Sequence, residues 1–182
     1  MTNGGTLRIR TSWTTTNQTF TPGAGTIIFA STANTTMPAA ITTYNNLTIN
    51  PSAGITVRLG AATIVNGDLT ITTGTLNTSG SNFALTLNGS FTNNATFTAN
   101  GSTVTIGGTS ATPNIAGFST TGELSFVRTV STATLTGNVT AASLTMNGSG
   151  GTLNLGASLS HTINGSVTLT AGTLNGNSST LS

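Results

Sequence analysis

Seven side chains in this sequence of 182 residues are formally charged or titrate near neutral pH: four arginines, Asp68, Glu123 and His161. Hydrolysis of a glycosidic bond needs two carboxyl groups about 5 to 10 Å apart. Asp68 and Glu123 are the only carboxylic side chains, and 55 residues separate them along the chain. Asp68 directly follows Asn66-Gly67, where aspartate is an ordinary turn residue. We therefore expect no catalytic site and predict that the protein is not an enzyme.

His161 is the only histidine, and it has no acidic residue or cysteine nearby in the sequence. Without such a partner no nucleophile and base can be paired, although serine and threonine are abundant. We expect His161 to face solvent at a polar corner. The chain has no cysteine, which excludes a disulfide framework and a cysteine-based metal site. The sequence predicts no metal site and no cofactor.

The positive charges are scattered rather than clustered, as Arg8, Arg10, Arg58 and Arg128. Recognition of nucleic acid depends on a concentrated basic surface, so we expect solvated arginines and no nucleic-acid partner. No apolar run approaches the roughly 20 residues that cross a bilayer, which argues against membrane insertion. The first ten residues lack the apolar core of a signal peptide, so we expect that a leader was removed or that the chain is an excised piece.

The elements that would position these residues are repeated. Phe20 and Phe29 recur 77 residues later as Phe97 and Ile106, and "NGDLTITTGTLN" from Asn66 recurs as "NGSVTLTAGTLN". A shorter apolar–polar–apolar motif lies inside these blocks as "LTI", "LTL", "VTI", "LSF", "LTM" and "VTL". Alternation with a period of two indicates strands with one apolar face. Thr, Val, Ile and Phe suit such strands, and Gly and Asn suit the corners between them.

We predict an all-β fold, a parallel β-helix forming one domain over residues 1–182. It has about eight coils of roughly 20 to 23 residues, each with three short strands. Leu69, Leu76 and Leu85 are predicted on the three sides of one coil, and Phe91, Phe97 and Val104 on those of the next. The outward residues predicted to lie along one side are Thr48, Thr70, Thr92, Ser125, Thr145 and Thr168. An antiparallel β-sandwich is the alternative, because its strand spacing is similar.

The segments "SFTNNATFTANGSTVTIGG", "YNNLTINPSAGI" and "LTITTGTLNTSGSNFALTLNG" resemble repeats of large secreted bacterial surface proteins. These are the Thr/Asn/Gly-rich β-solenoids of adhesins and autotransporter passengers. The resemblance covers nearly the whole chain and implies an extracellular or cell-surface solenoid. It identifies no particular ligand, so a surface or a glycan is left open as a partner.

The two ends carry the strongest functional indication. Leu7 and Ile9 align with the third strand of a coil, and Leu181 aligns with the start of that same strand. This phase fits either a piece excised at a whole number of coils or subunits that stack head to tail. We predict self-association edges at Leu7 and Ile9 on one end and at Leu174 and Leu181 on the other. The predicted function is a non-enzymatic structural rod, used as a filament subunit or an adhesin stalk.

Binding to ice or another crystalline surface is the alternative function. Outward Thr-x-Thr pairs at regular spacing could form a flat array, and the sequence contains several, among them Thr70 with Thr72 and Thr168 with Thr170. We expect these pairs to be distributed over different sides, so that no two-column array persists from coil to coil.

Overall fold

The computed structural model describes residues 4–15, 20–110 and 112–182. Within these residues every helix or strand is a β-strand, and every hydrogen-bonded strand pair is parallel. The strands stack in three faces around one axis, with about eight coils. The predicted parallel β-helix is confirmed, and the antiparallel sandwich is excluded.

Each face is a ladder of strands taken from successive coils. Face 1 consists of β4 (Thr43–Tyr44), β7 (Thr63–Val65), β10 (Leu85–Leu87), β13 (Val104–Ile106), β16 (Glu123–Phe126) and the first parts of β19 (Ser143–Asn154) and β21 (Val167–Asn175). Face 2 consists of β1 (Thr6–Ile9), β2 (Thr26–Phe29), β5 (Asn46–Ile49), β8 (Leu69–Ile71), β11 (Phe91–Asn93), β14 (Asn114–Ile115), β17 (Thr132–Leu135) and the last parts of β19 and β21. Face 3 consists of β3 (Thr35–Thr36), β6 (Thr56–Arg58), β9 (Thr75–Asn77), β12 (Thr96–Thr98), β15 (Phe118–Ser119), β18 (Val139–Ala141), β20 (Ser160–Ile163) and β22 (Thr180–Leu181).

The core is a set of apolar stacks that run along the axis. Leu69 on face 2, Leu76 on face 3 and Leu85 on face 1 are each fully buried, as predicted for the three sides of one coil. In the ladder Leu69 lies between Leu47 and Phe91, 22 residues away on either side. Each side chain therefore buries its surface against the coils directly before and after it, which makes stability a nearest-neighbour property.

The predicted single file of outward hydroxyls is wrong. Thr48, Thr70 and Thr92 lie in register on face 2, whereas Ser125, Thr145 and Thr168 lie in register on face 1. The apolar–polar–apolar triplet occurs on both faces, and local alternation determines which side chain points inward without determining the face. The register of the stacked neighbours decides that.

Polar side chains close the corner before face 2 without using charge pairs. The side-chain oxygen of Asn46 accepts a hydrogen bond from the backbone N–H of Asp68 at 2.9 Å, and Asp68 accepts one from Ser90 N–H at 2.9 Å. The Ser90 hydroxyl oxygen continues the series by accepting from Asn114 N–H at 3.4 Å. Each coil thereby satisfies a backbone donor of the next by a side-chain oxygen.

Positive φ, the usual reason for Asn and Gly at sharp corners, is rare in the inner Asn-Gly pairs. Only Asn100 has a positive φ, 49°, among the pairs Asn66-Gly67, Asn88-Gly89, Asn100-Gly101, Asn147-Gly148 and Asn164-Gly165. Gly89 is required by close packing instead, since a Cβ there would overlap the carbonyl oxygen of Gly67 in the preceding coil. Successive corners approach one another too closely for a side chain, which is a separate use of glycine.

Candidate functional site

The last coil exposes apolar side chains that the equivalent residues of inner coils bury. Val167 and Leu169 are 43% and 59% exposed, whereas their ladder partners Leu144 and Met146 are buried. Within the part of the chain that the structure describes, β21 is hydrogen-bonded along only one edge, to β19. Leu174 is partly buried in the same strand and Leu181 in β22. Among the described strands β21 is thus an open edge over an apolar surface.

The opposite end has the same character. β1 pairs with β2 alone among the described strands, with Leu7 opposite Ile27 and Ile9 opposite Phe29. Leu7 is 36% exposed, and Ile9 is partly buried against the core. Arg8 and Arg10 are both exposed beside this edge. The first and last coils therefore both present main-chain donors and acceptors next to apolar side chains.

The predicted phase of the two ends needs correction. Leu7 and Ile9 lie on face 2, and not on the face of Leu85 with which their sequence aligns. Leu181 lies on face 3, opposite His161. Leu174 does share face 2 with Leu7 and Ile9. The error arose because all three faces use the same alternating pattern, so a local alignment cannot distinguish them.

Asp68 and Glu123 do not converge on one site. Asp68 is exposed before β8 on face 2 and is hydrogen-bonded within the corner ladder. Glu123 is half-buried at the start of β16 on face 1, opposite Ser143. Three coils separate them, roughly 14 Å along the axis at the usual strand spacing. In the described ranges no group of three or more His, Cys, Asp or Glu residues could hold a metal ion.

Arg128 is not a solvated surface residue, contrary to the sequence prediction. Its side chain is fully buried, and its guanidinium group donates hydrogen bonds to the carbonyl oxygens of Gly107 and Ser110 and to the Ser131 hydroxyl at 2.8 Å. Burial lowers the pKa of Arg128, because desolvation disfavours the charged form. The carbonyls belong to the preceding coil, so Arg128 fastens two coils at this corner. Arg8 and Arg10 are exposed and Arg58 is half-buried.

His161 is also inside the solenoid rather than at a solvated corner. It is 1% exposed, its Nδ1 accepts a hydrogen bond from Val139 N–H at 3.1 Å, and its Nε2 lies 2.8 Å from the carbonyl oxygen of Leu155. These contacts require the neutral tautomer with the proton on Nε2. Both ring nitrogens are hydrogen-bonded to backbone groups, so the contacts of His161 are structural and leave neither nitrogen free to act as a general base.

Outward hydroxyls form one continuous file on face 1. Its members, in register from coil to coil, are Thr86, Thr105, Ser125, Thr145 and Thr168. The adjoining file contains Ala84 and Glu123, so a two-column hydroxyl array is interrupted. The Thr-x-Thr pairs are distributed over the faces, with Thr70 on face 2 and Thr168 on face 1.

No family model, curated protein or solved structure matches the chain. Among the described residues no helix is long and apolar enough to cross a membrane.

Proposed function

We propose that this protein is a non-enzymatic structural rod that works outside the cell and stacks head to tail with copies of itself. The open edge of the last coil carries the proposal. Val167 and Leu169 are more than two-fifths exposed, although the residues stacked below them are buried. An unpaired strand edge binds another strand unless something blocks it. The first coil of a second copy supplies such an edge at β1, which lies on face 2 and would pair with the last part of β21, whereas Val167 and Leu169 lie beside that edge on face 1.

The shared face supports this pairing. Leu7 and Ile9 of one copy and Leu174 of the next lie on face 2, so joining the ends continues one ladder. A head-to-tail contact uses two different surfaces and does not close, which gives a filament. The resemblance of the repeats to secreted surface proteins supports an extracellular filament or stalk. Since charged residues make up 3% of the chain, added salt should change assembly little.

The test compares assembly of the unmodified protein with that of Leu169→Lys/Leu174→Lys. Sedimentation velocity over a hundred-fold range of concentration measures assembly, and negative-stain electron microscopy measures particle length. We expect rods a few nanometres wide that lengthen with concentration, and short particles for the double variant, because two charges at the edge oppose pairing. Thr86→Lys/Thr105→Lys adds the same two charges to the outward side of face 1 on inner coils and should leave length unchanged.

Two results would overturn the proposal. One is an unmodified protein that stays monomeric at the highest concentration, and the other is a double variant that assembles as well as the control. Activity is tested separately: we expect no cleavage of polysaccharides, and a cleavage that is lost on Asp68→Asn or Glu123→Gln would refute the non-enzymatic assignment.

Binding to ice or another crystalline surface is a second candidate, favoured by the hydroxyl file on face 1. Thermal hysteresis measures it directly. If this file binds ice, Thr105→Lys should abolish the hysteresis, whereas Thr70→Lys on face 2 should preserve it.

A further inference from the structure

The ladder of face 3 is interrupted in the middle of the solenoid. β12 and β15 belong to adjacent coils but to separate sheets. On face 1 the same two coils are hydrogen-bonded through β13 and β16, and on face 2 through β11 and β14. The coils are thus in contact on two sides and parted on the third.

Two aromatic rings meet at this interruption. Phe97 of β12 and Phe118 of β15 stack inside the coil with ring centroids 6.2 Å apart. This ring separation is wider than the spacing of about 4.8 Å between hydrogen-bonded strands. Directly after β15 the coils close again, since the Thr120 hydroxyl donates to the carbonyl oxygen of Ser102 at 2.6 Å and Thr121 N–H donates to that of Asn100 at 2.8 Å.

The parted strands leave an open groove of about 330 Å³. It is lined chiefly by Phe97, Thr98, Ser119, Thr121, Thr140 and Asn164, and none of its lining residues carries a charge. The volume lies at the lower end of the range of about 300 to 1,000 Å³ for ligand sites. The groove therefore suits a short segment of a neutral ligand.

The polar groups of the groove divide into those that hold the fold and those that are free. The Asn100 amide donates to Asn77 and to the carbonyl oxygen of Ser79. The side chains of Thr98, Ser119, Thr140 and Asn164 make no hydrogen bond to any residue that the structure describes. Three hydroxyls and one amide thus line the groove beside the partly buried Phe97 with unused donors and acceptors.

We infer that this groove binds a neutral oligosaccharide. A sugar ring presents hydroxyls at its rim, which match the free hydroxyls and the amide, and an apolar C–H face, which matches the apolar surface that Phe97 contributes to the lining. Phosphate, sulfate or carboxylate groups would find no cation among the lining residues, so an anionic ligand is disfavoured. The inference does not depend on end-to-end stacking, because the groove lies in the middle coils.

Isothermal titration calorimetry tests the inference. The probes are neutral oligosaccharides of glucose, galactose, mannose and N-acetylglucosamine, with uronic-acid oligosaccharides of equal length as the charged comparison. We expect binding to at least one neutral probe and about ten-fold weaker binding by Ser119→Ala/Thr140→Val, which removes two hydroxyls that lie in register across adjacent coils. Thr86→Val, an outward substitution on face 1, should bind like the unmodified protein.

Equal melting temperatures of the variants would show that the substitutions leave the fold intact. The edge variant Leu169→Lys/Leu174→Lys should bind the sugar unchanged, which separates this inference from the proposed stacking. No heat of binding to any neutral probe at millimolar concentration, tighter binding of the uronic acids, or equal weakening by Thr86→Val would each overturn the inference.

Discussion

Replacing His161 with phenylalanine tests how a polar side chain is held inside an otherwise apolar solenoid. The imidazole joins Val139 N–H to the carbonyl oxygen of Leu155, and it is 1% exposed. Phenylalanine fills a similar volume but leaves that donor and that acceptor buried without partners. Each orphaned group costs about 1 to 3 kcal/mol, so the variant should lose about 2 to 6 kcal/mol. At about 2 to 4 °C per kcal/mol for a chain of this size, the melting temperature should fall by roughly 10 °C.

His161→Asn separates the two hydrogen bonds. The Oδ1 atom of asparagine occupies the same branch as Nδ1 of histidine, so it can still accept from Val139 N–H while the bond to Leu155 is lost. We expect about half of the destabilisation seen with phenylalanine.

Native-state hydrogen exchange locates the effect. Because each coil depends chiefly on its neighbours, the loss should be confined to the C-terminal coils. The amide of Val139 should exchange faster in His161→Phe and stay protected in His161→Asn. The amide of Leu59, which donates to Asn77 in the N-terminal half, serves as the internal control and should be unchanged in both. A phenylalanine variant that melts within about 2 °C of the unmodified protein, with Val139 still protected, would refute this reasoning.

Three further substitutions, two of them with a matched control, test the packing by thermal denaturation. Leu144→Asp puts an unpaired charge where the side chain is 1% exposed and should cost about 4 kcal/mol, whereas the outward Thr145→Ser should be nearly neutral. Gly89→Ala should cost about 1 to 3 kcal/mol because its Cβ meets the Gly67 backbone, and Gly80→Ala, which has open space, should be silent. Tyr44→Phe removes a buried hydroxyl that has no partner and should leave the melting temperature equal or higher. Burial raises the pKa of Tyr44, so the tyrosine ionises in the unfolded chain before it ionises in the folded one. The stability of the unmodified protein should therefore fall as pH rises through about 10, and that of Tyr44→Phe should fall less. A parallel decline in both proteins would contradict this.

The alternation of side chains made the fold predictable and left the face of each strand undetermined. Leu69, Leu76 and Leu85 are recognisable as inward because each begins or centres an apolar–polar pattern with turn residues between them. The same pattern cannot say whether Thr70 and Thr145 share a side, because the ladder register depends on loop lengths between faces.

The same alternation contained a signal for the two buried polar residues. His161 lies two residues from Leu159 and from Ile163, and Arg128 lies two residues from Phe126. Period two would place both inward with those neighbours. Their polarity outweighed the period in the sequence interpretation, since unpaired charges are rarely buried. What the sequence could not show is that backbone groups of nearby coils supply the partners.

The groove on face 3 was beyond sequence reasoning for a different reason. Phe97 and Phe118 each look like ordinary inward residues of their own strands, and their two rings meet only when the coils are stacked. A contact of this kind depends on the stacking register, which the alternating pattern does not determine.

The scarcity of charge follows from how the coils are joined. Corner donors are satisfied by side-chain oxygens of the preceding coil, such as Asn46 for Asp68, and these bonds need no ion pairs. Every such bond reaches one coil and no further, so the interior coils are supported on both sides and the terminal coils on one. Val167 and Leu169 show the consequence, because their apolar surface remains in water at the point where the next layer would cover it. β21 carries no charged side chain that would oppose pairing of this edge, which is the property that the proposed head-to-tail stacking requires.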